Sequence, residues 1–209
     1  MIRTIPSDAA ARVLAEVAEA EQADLVVVGS SRRSALGRML PGTTAERLLH
    51  GAPCPVAVAP RGYRGGDIRR IGVAYDGSPE SDAALRAAES LALERSAALT
   101  VYCVVEPSSE AATERARDLL DRVADGAPTG IRPEWLLLHG VPADEIAARA
   151  YGVVDLLFVG SHGYGPLRHA LLGNVSGALV CEAGCPVVVT PRAAIAPRRM
   201  PAVSAQVRA

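Results

Sequence analysis

The sequence contains no lysine, so all 22 of its basic residues are arginine. This absence excludes a P-loop of the Gly-Lys-Ser/Thr kind, in which a lysine ammonium group contacts the phosphates. It also excludes chemistry that proceeds through a Schiff base on a lysine amine. A phosphate site in this chain must therefore rely on backbone N–H groups, hydroxyls, amides or guanidinium groups.

Aromatic residues and net charge are also scarce, at 3% of the chain and −1 respectively. No overall positive field attracts nucleic acid, and no basic patch is interleaved with aromatic residues. No apolar run is long enough to cross a bilayer, and residues 1–20 lack the pattern of a signal peptide. We therefore expect a cytoplasmic protein with neither a nucleic-acid partner nor a membrane partner.

Four cysteines are present, and they fit the pattern of small, reduced core residues. The spacing Cys181-x3-Cys185 is open to a metal, but no paired histidine or second cysteine pair lies nearby. We expect no metal site. Half of the 209 residues are apolar, mostly Ala, Val and Leu, which suits valine-rich strands packed under alanine-rich helices.

The most informative feature is an internal repeat, in which residues 24–60 align without a gap on residues 155–191. Identical residues in the first copy include Asp24, Gly29, Ser30, Leu36, Gly42, Leu48, Cys54, Pro55 and Pro60. Their counterparts in the second copy are Asp155, Gly160, Ser161, Leu167, Gly173, Leu179, Cys185, Pro186 and Pro191. Each copy begins with an aspartate before an apolar strand, a position where turn-forming aspartate is ordinary, so we assign this aspartate no chemistry.

The second copy carries two glycine turns that together predict a phosphate site. A buried strand at residues 156–159 ends on Gly160-Ser161-His162-Gly163, and nine residues later Gly173-Asn174-Val175-Ser176 begins a helical pattern. The first amides of a helix are unpaired, and the aligned peptide dipoles leave positive charge there. The alternative is that these glycines only close tight turns.

The elements from residue 71 onward follow the order β-α-β-α-β-α-β-α-β. The first strand ends in Asp76-Gly77-Ser78, where Ser78 can cap a helix that has Pro79 as its first residue. This order predicts an α/β fold with an open, mostly parallel five-stranded sheet and helices on both faces, plus a partial second copy. Ligands of such sheets bind at the carboxyl ends of the strands, where Asp76 and Gly160 both fall.

Two segments have the composition of connections rather than of folded elements. Residues 61–68 are rich in Gly and Arg and mark an exposed linker. Residues 193–209 are rich in Ala, Pro and Arg without an apolar period, which predicts a disordered tail.

These motifs resemble the universal stress protein family. The spacing Gly160-x2-Gly163-x9-Gly173, with Ser176 close behind, is similar to the signature Gly-x2-Gly-x9-Gly-Ser/Thr of the ATP-binding branch. The strand-end Asp76 and the Cys-Pro-Val before the last strand belong to the same pattern. The resemblance covers residues 69–192 as a whole module and residues 1–60 as the back half of another. It implies a Rossmann-like fold of the adenine nucleotide alpha hydrolase type, and modules that pair as a homodimer or pseudo-dimer through their last strands.

The resemblance also implies a binding role for particular residues, with ATP as the ligand and Mg²⁺ carried by its phosphates. It implies that Asp76 bonds the adenine and that the backbone of Val104 contacts the base. It implies that Gly160 and Gly163 let the backbone approach ribose and phosphates, and His162 lies in the same turn. The residues implied to hold the triphosphate are Gly173, Asn174, Val175 and Ser176, with Ser176 supplying a hydroxyl.

Two departures from the family pattern bear on the number of sites. Asn174 stands where the pattern has Ser or Thr, although its amide can still donate to a phosphate oxygen. In the first copy Arg32 replaces the second glycine, and the strand that would bear the aspartate is missing. We expect one nucleotide site per chain, in the second module.

The incomplete first module would leave strand edges and apolar helix faces exposed. Three explanations stay open at this point. The last strands of the two copies pair with each other, a second chain covers the rest, or residue 1 is not the natural start.

Three functions remain open as well. The first is an ATP-binding sensor or regulator in the stress response. The second is a dimerisation module that binds no nucleotide, and the third is a slow ATPase or autophosphorylating protein. No residue supplies a clear catalytic base near the phosphates, so we assign no catalytic residue.

Overall fold

The structure is a computed structural model that describes residues 9–30, 32–33, 39–40, 42–105, 110–161 and 173–191. The helices are α1 Ala10–Ala20, α2 Thr43–Gly51, α3 Pro79–Arg95, α4 Glu110–Asp125, α5 Pro142–Ala150 and α6 Asn174–Glu182. The strands are β1 Val26–Gly29, β2 Arg32–Arg33, β3 Met39–Leu40, β4 Val56–Ala59, β5 Arg70–Ala74, β6 Ala98–Val105, β7 Glu134–His139, β8 Leu156–Gly160 and β9 Val187–Thr190. No helix in these ranges is long and apolar enough to cross a membrane.

Seven strands form one mixed sheet in the order β1-β4-β9-β8-β5-β6-β7, while β2 and β3 form a separate antiparallel pair. Every neighbouring pair in the large sheet is parallel except β4 and β9. The predicted α/β fold is therefore confirmed, with five strands from the second module and two from the first in a single sheet.

The last strands of the two repeat copies join the modules. Val58 of β4 lies opposite Val187 of β9, and Val56 lies opposite Val189, in an antiparallel register. This pairing is the first of the three explanations for the incomplete module. It removes the edge that each last strand would otherwise expose, because each strand now has a neighbour on both sides.

The two copies also repeat their backbone hydrogen bonds. Ser30 N donates to the carbonyl of Ala59 at 2.9 Å, and Ser161 N donates to the carbonyl of Thr190 at 2.9 Å. These two bonds fall on equivalent positions of the ungapped alignment. The sequence repeat is therefore a repeat of local structure.

The core lies on both faces of the sheet, because successive side chains of a strand point to opposite faces. Val187 and Val189 belong to a buried cluster with Leu179 of α6. Val188, between them, belongs to the other cluster, together with Phe158 of β8 and Leu91 of α3. Helices thus cover both faces of the second module, as its element order predicts.

Local signals set the start of α3 correctly. Ser78 is the N-cap, and its Oγ accepts a hydrogen bond from Ser81 N at 3.2 Å. Pro79 follows as the first helical residue, where a missing N–H costs nothing.

The spacing of Val13, Leu14 and Val17 in the sequence predicts a helix that buries these three residues, and for α1 this prediction is partly wrong. Leu14 is 39% exposed, and Val13 and Val17 are only half-buried. The buried residues of this helix are Ala11 and Ala18. The apolar stripe is present in the sequence, but beyond β1 the described residues supply no further strand for it to cover.

The segment between β4 and β5 is an exposed connection. Residues 61–67 are all exposed and form neither helix nor strand. The tail predicted for residues 193–209 lies outside the described residues. The sequence also predicts the remnant of a strand at residues 1–6 and a helix cap at Ser7 or Asp8, and these residues too lie outside the described ranges.

Candidate functional site

The strand order places a topological switch point between β5 and β8. From β5 the chain builds outward through β6 and β7, and it then returns to add β8 and β9 on the other side of β5. Helices that follow β5 and β8 therefore leave on opposite faces, which opens a crevice at the carboxyl ends of these two strands. The candidate residues of the second module lie at this point.

Asp76 follows β5 at its carboxyl end, as predicted, and its side chain is exposed. Its Oδ1 accepts a hydrogen bond from Ser78 N at 3.0 Å, which fixes the carboxylate over the turn. The turn passes through Gly77, whose φ of 78° lies in the left-handed region that favours glycine. A side chain at that position would also meet Leu119 of α4 at 2.8 Å.

The register of the sheet places Asp76 beside two other site positions. It comes two residues after Ala74, which pairs with β8 on one side and with β6 on the other. Asp76 is therefore level with Ser161 beyond β8 and with Val104 in β6. The expected base-binding pair, Asp76 and Val104, therefore lies at the carboxyl ends of the neighbouring strands β5 and β6.

Ser161 connects the end of β8 to the start of α6. It is 2% exposed, and its carbonyl accepts hydrogen bonds from Gly173 N at 2.7 Å and from Ser176 Oγ at 3.2 Å. These two bonds fix the N-terminus of α6 at the carboxyl end of β8. The two glycine turns that the sequence separates by nine residues thus meet through one carbonyl.

The first turn of α6 offers unpaired backbone donors. Gly173 is the N-cap in an extended conformation, and no side chain caps the helix. Among the described residues, the N–H groups of Asn174, Val175 and Ser176 have no acceptor. Because the helix dipole adds positive charge at the same place, this turn suits an anion. Asn174 is exposed there.

The hydroxyl of Ser176 has a structural role. Ser176 is 1% exposed, and its Oγ lies 3.2 Å from the carbonyl of Ser161 and 3.1 Å from that of Gly173. A hydroxyl has one proton, and both of these neighbours are acceptors. The hydroxyl predicted to contact the triphosphate is thus engaged with the backbone.

Gly160 has a packing reason to be glycine. A Cβ at this position would lie 2.8 Å from the carbonyl carbon of Glu80 and 2.9 Å from Ser81 N, both in the first turn of α3. The element that lies so close to the Cα of Gly160 is therefore a helix, α3. The remaining predicted contacts, His162 and Gly163, lie outside the described residues.

Two titratable groups beside Asp76 are held in their neutral forms. Burial, and then the charge of Asp76, raises the pKa of the Cys103 thiol to about 11. Burial, followed by a 2.7 Å hydrogen bond to Asp82, raises the pKa of Tyr75. Neither group is therefore an ionised nucleophile near neutral pH.

The structure gives a role to Asp155, which the sequence left without one. Its Oδ2 accepts hydrogen bonds from the backbone N–H groups of Arg69 at 3.0 Å and Arg70 at 2.9 Å. Its Oδ1 accepts from Arg70 Nη2 at 2.9 Å. Burial acts to raise the pKa of Asp155, but these hydrogen bonds outweigh it and lower the pKa. The sequence did carry a signal for this contact. It has an Arg-Arg pair at the start of one apolar strand and an aspartate directly before another.

Comparison with known proteins bears on the family and the fold of this chain. The sequence profile described as the universal stress protein family matches residues 4–60 and 67–191. A universal stress protein of Mycolicibacterium smegmatis is 33% identical over 207 residues, covering 90% of this chain and 68% of the relative. A universal stress protein of Thermus aquaticus is 34% identical over 134 residues, covering 58% of this chain and 98% of the relative.

Among solved structures, a universal stress protein from Archaeoglobus fulgidus has a similar fold, with a TM-score of 0.74. It is 24% identical, and the match covers 92% of this chain and 70% of that chain.

Proposed function

The chain belongs to the universal stress protein family, and we propose that it binds ATP at the carboxyl ends of β5 and β8. In this proposal the protein is a cytoplasmic, nucleotide-dependent sensor or regulator in the stress response. The observation that carries the proposal is the anchoring of the α6 N-terminus to the carbonyl of Ser161, at the switch point of the sheet.

The phosphates would occupy the first turn of α6. The amides of Asn174, Val175 and Ser176, which have no acceptor within the described ranges, supply donors and the positive end of the helix dipole without any lysine. We assign Ser176 a backbone contact, since its hydroxyl is engaged with carbonyls. The exposed amide of Asn174 can donate one further hydrogen bond, and Mg²⁺ would be carried by the phosphates.

The adenine would lie at the ends of β5 and β6. The carboxylate of Asp76 can accept from the exocyclic amino group, and Ser78 N already holds that carboxylate in place. The backbone of Val104, level with Asp76, would contact the base from the neighbouring strand. An acceptor for the amino group favours adenine over guanine, which carries a carbonyl at the equivalent position.

Calorimetric titration of the full chain with ATP and Mg²⁺ tests this proposal. We expect Asp76→Ala to weaken binding about tenfold or more, as the loss of a hydrogen bond to a charged group implies. Asp67→Ala is the matched control. Asp67 is an exposed aspartate that pairs with Arg69 just before the amino end of β5, whereas Asp76 follows the carboxyl end of the same strand. A wild-type chain that binds no ATP, or equal losses in both variants, would refute the proposal.

Assays on the same purified protein distinguish the other two functions, a dimerisation module and a slow ATPase, from the proposed one. A dimerisation module that binds no nucleotide would show neither heat of binding nor a copurifying nucleotide by mass analysis. A slow ATPase would release phosphate in a single turnover. The neutral thiol and phenol beside Asp76 give no support to such an activity.

A further inference from the structure

A closed circuit of hydrogen bonds joins the residues after β5 to the start of α3. The hydroxyl of Tyr75 donates to Oδ1 of Asp82 across 2.7 Å. The backbone N–H of Asp82 donates to the carbonyl of Ser78 at 2.9 Å. The backbone N–H of Ser78 donates to Oδ1 of Asp76 at 3.0 Å, and Asp76 directly follows Tyr75 in the chain. The circuit therefore begins and ends on neighbouring residues.

The two ends of this circuit have different surroundings. Tyr75 is 5% exposed, and its backbone N–H donates to the carbonyl of Tyr102 in β6 at 2.9 Å, so the sheet fixes its position. Burial, followed by the bond to Asp82, raises the pKa of Tyr75, and the phenol keeps the proton that it donates. Asp76 is exposed, and its Oδ2 has no hydrogen-bond partner within the described ranges. That oxygen is therefore available to a ligand.

The start of α3 also contacts the other strand of the switch point. A Cβ on Gly160 of β8 would lie 2.9 Å from Ser81 N, which is in the same helical turn as Asp82. The first turn of α3 thus packs against β8 and is hydrogen-bonded to the end of β5 through Tyr75. Because Ser78 is the N-cap of this helix, the placement of the turn determines where its N–H holds the carboxylate.

We propose that Tyr75 is a positioning residue, which through this circuit holds the carboxylate of Asp76 where an adenine amino group can donate to Oδ2. This inference rests on the proposed binding of ATP. Without the hydroxyl of Tyr75, the half-buried carboxylate of Asp82 can turn to water, and the first turn of α3 loses its side-chain bond to the end of β5. The carboxylate of Asp76 then samples more orientations, which weakens a hydrogen bond that depends on direction.

The test compares ATP with purine riboside triphosphate, which lacks only the exocyclic amino group. Calorimetric titration of the full chain gives the ratio of the two dissociation constants, and this ratio reports the contact to the amino group. We expect ATP to bind about tenfold more tightly than the analogue in the wild type, and about threefold or less in Tyr75→Phe. A general loss of stability would weaken the binding of both ligands alike and would leave the ratio unchanged.

Tyr102→Phe is the matched control, since it removes a phenol hydroxyl from a residue that is 2% exposed. The aromatic ring of Tyr102 lies beside Gly72 in β5, and its hydroxyl has no hydrogen-bond partner within the described ranges. This variant should keep the wild-type ratio. Asp82→Ala should lower the ratio as Tyr75→Phe does, whereas Asp82→Asn retains an oxygen that can accept from the phenol and should preserve the ratio.

Three results would overturn the proposal. One is a wild-type ratio in Tyr75→Phe or in Asp82→Ala, and another is an equal fall of the ratio in Tyr75→Phe and Tyr102→Phe. The third is a ratio in Asp82→Asn as low as that in Asp82→Ala, because the charge of Asp82 and not its hydrogen bond would then matter. In all three cases a wild-type preference for ATP leaves the proposed function standing. A wild type that does not discriminate between the two ligands would instead refute the proposed adenine contact of Asp76, and this inference with it.

Discussion

Arg70 donates a hydrogen bond from Nη2 to Oδ1 of Asp155 across 2.9 Å, where β5 and β8 begin side by side. The same carboxylate accepts hydrogen bonds from the backbone N–H groups of Arg69, just before β5, and of Arg70, its first residue. The Asp155 side chain thus accepts from two backbone N–H groups at the point where the pairing of β5 with β8 begins. It also fixes the register of the two strands that flank the candidate site.

We expect Asp155→Ala to lower the free energy of unfolding by about 2–3 kcal/mol, since it removes a charged acceptor shared by three donors. Because the folded-state pKa of Asp155 is lowered, its contribution is present above the unfolded-state pKa and is lost as pH falls through the folded-state value. Urea unfolding at neutral pH and at about pH 2 should therefore show a difference that shrinks in acid.

Asp67→Ala is the control for that measurement. Asp67 pairs with Arg69 in an ion pair whose two side chains are 75% and 79% exposed. Exposed pairs of this kind contribute about 0–1 kcal/mol, so the substitution should change stability little. An equal loss of unfolding free energy in both variants would mean that the hydrogen bonds of Asp155 stabilise the protein no more than the exposed ion pair of Asp67 does.

The equivalent glycines of the repeat give a second matched pair of substitutions. Gly160→Ala should destabilise the protein by about 1–3 kcal/mol, because the new Cβ lies within 2.9 Å of backbone atoms in α3. Gly29→Ala should be close to neutral, since that position is open. Thermal unfolding of both variants checks the prediction, and a neutral Gly160→Ala would contradict the close approach of α3.

Ser176→Ala tests the assignment of its hydroxyl to the backbone. Loss of the bonds to Ser161 and Gly173 should lower stability by about 1 kcal/mol. If the proposed ATP contact is through the backbone N–H, affinity should fall less than it does in Asp76→Ala. Paired unfolding and ATP titration measure both effects. A large loss of affinity with unchanged stability would restore the hydroxyl as a direct contact.

Two buried thiols predict a loss of stability in alkali. Burial raises the pKa of Cys103 to about 11, and it does the same for Cys185. Since both folded-state values are raised, their stabilisation is complete below the unfolded-state pKa and is lost as pH rises toward about 11. The effect amounts to roughly 3 kcal/mol per thiol.

Urea unfolding can be measured in steps of about one pH unit from about pH 8 to about pH 11. The free energy of unfolding should decline less steeply with pH in Cys103→Ala than in the wild type. Equal slopes would show that the thiol does not ionise on unfolding in this range.

Several site features were predictable because they depend on neighbours in sequence. The cap of α3 by Ser78 follows from residues that are adjacent along the chain. The carboxyl-end position of Asp76 follows from where an apolar run stops. The ATP-binding role of these residues stays a prediction.

Other features depended on which elements meet. In the sequence, the apolar stripe of α1, which includes Leu14, has helical spacing, but this spacing does not reveal that β1 is the outermost strand among the described residues. The hydroxyl of Ser176 is chemically fit for a phosphate, and only its distance from Ser161 shows that it bonds the backbone.

The sequence alone determined the repeat, the α/β class and the positions of the glycine turns, because periodicity and turn chemistry are local properties. The tertiary structure decided that β4 and β9 join antiparallel, that Gly160 faces α3 and that Asp155 holds the start of β5. These relationships connect residues far apart in the chain, so they arise only when the strands pair and the helices pack.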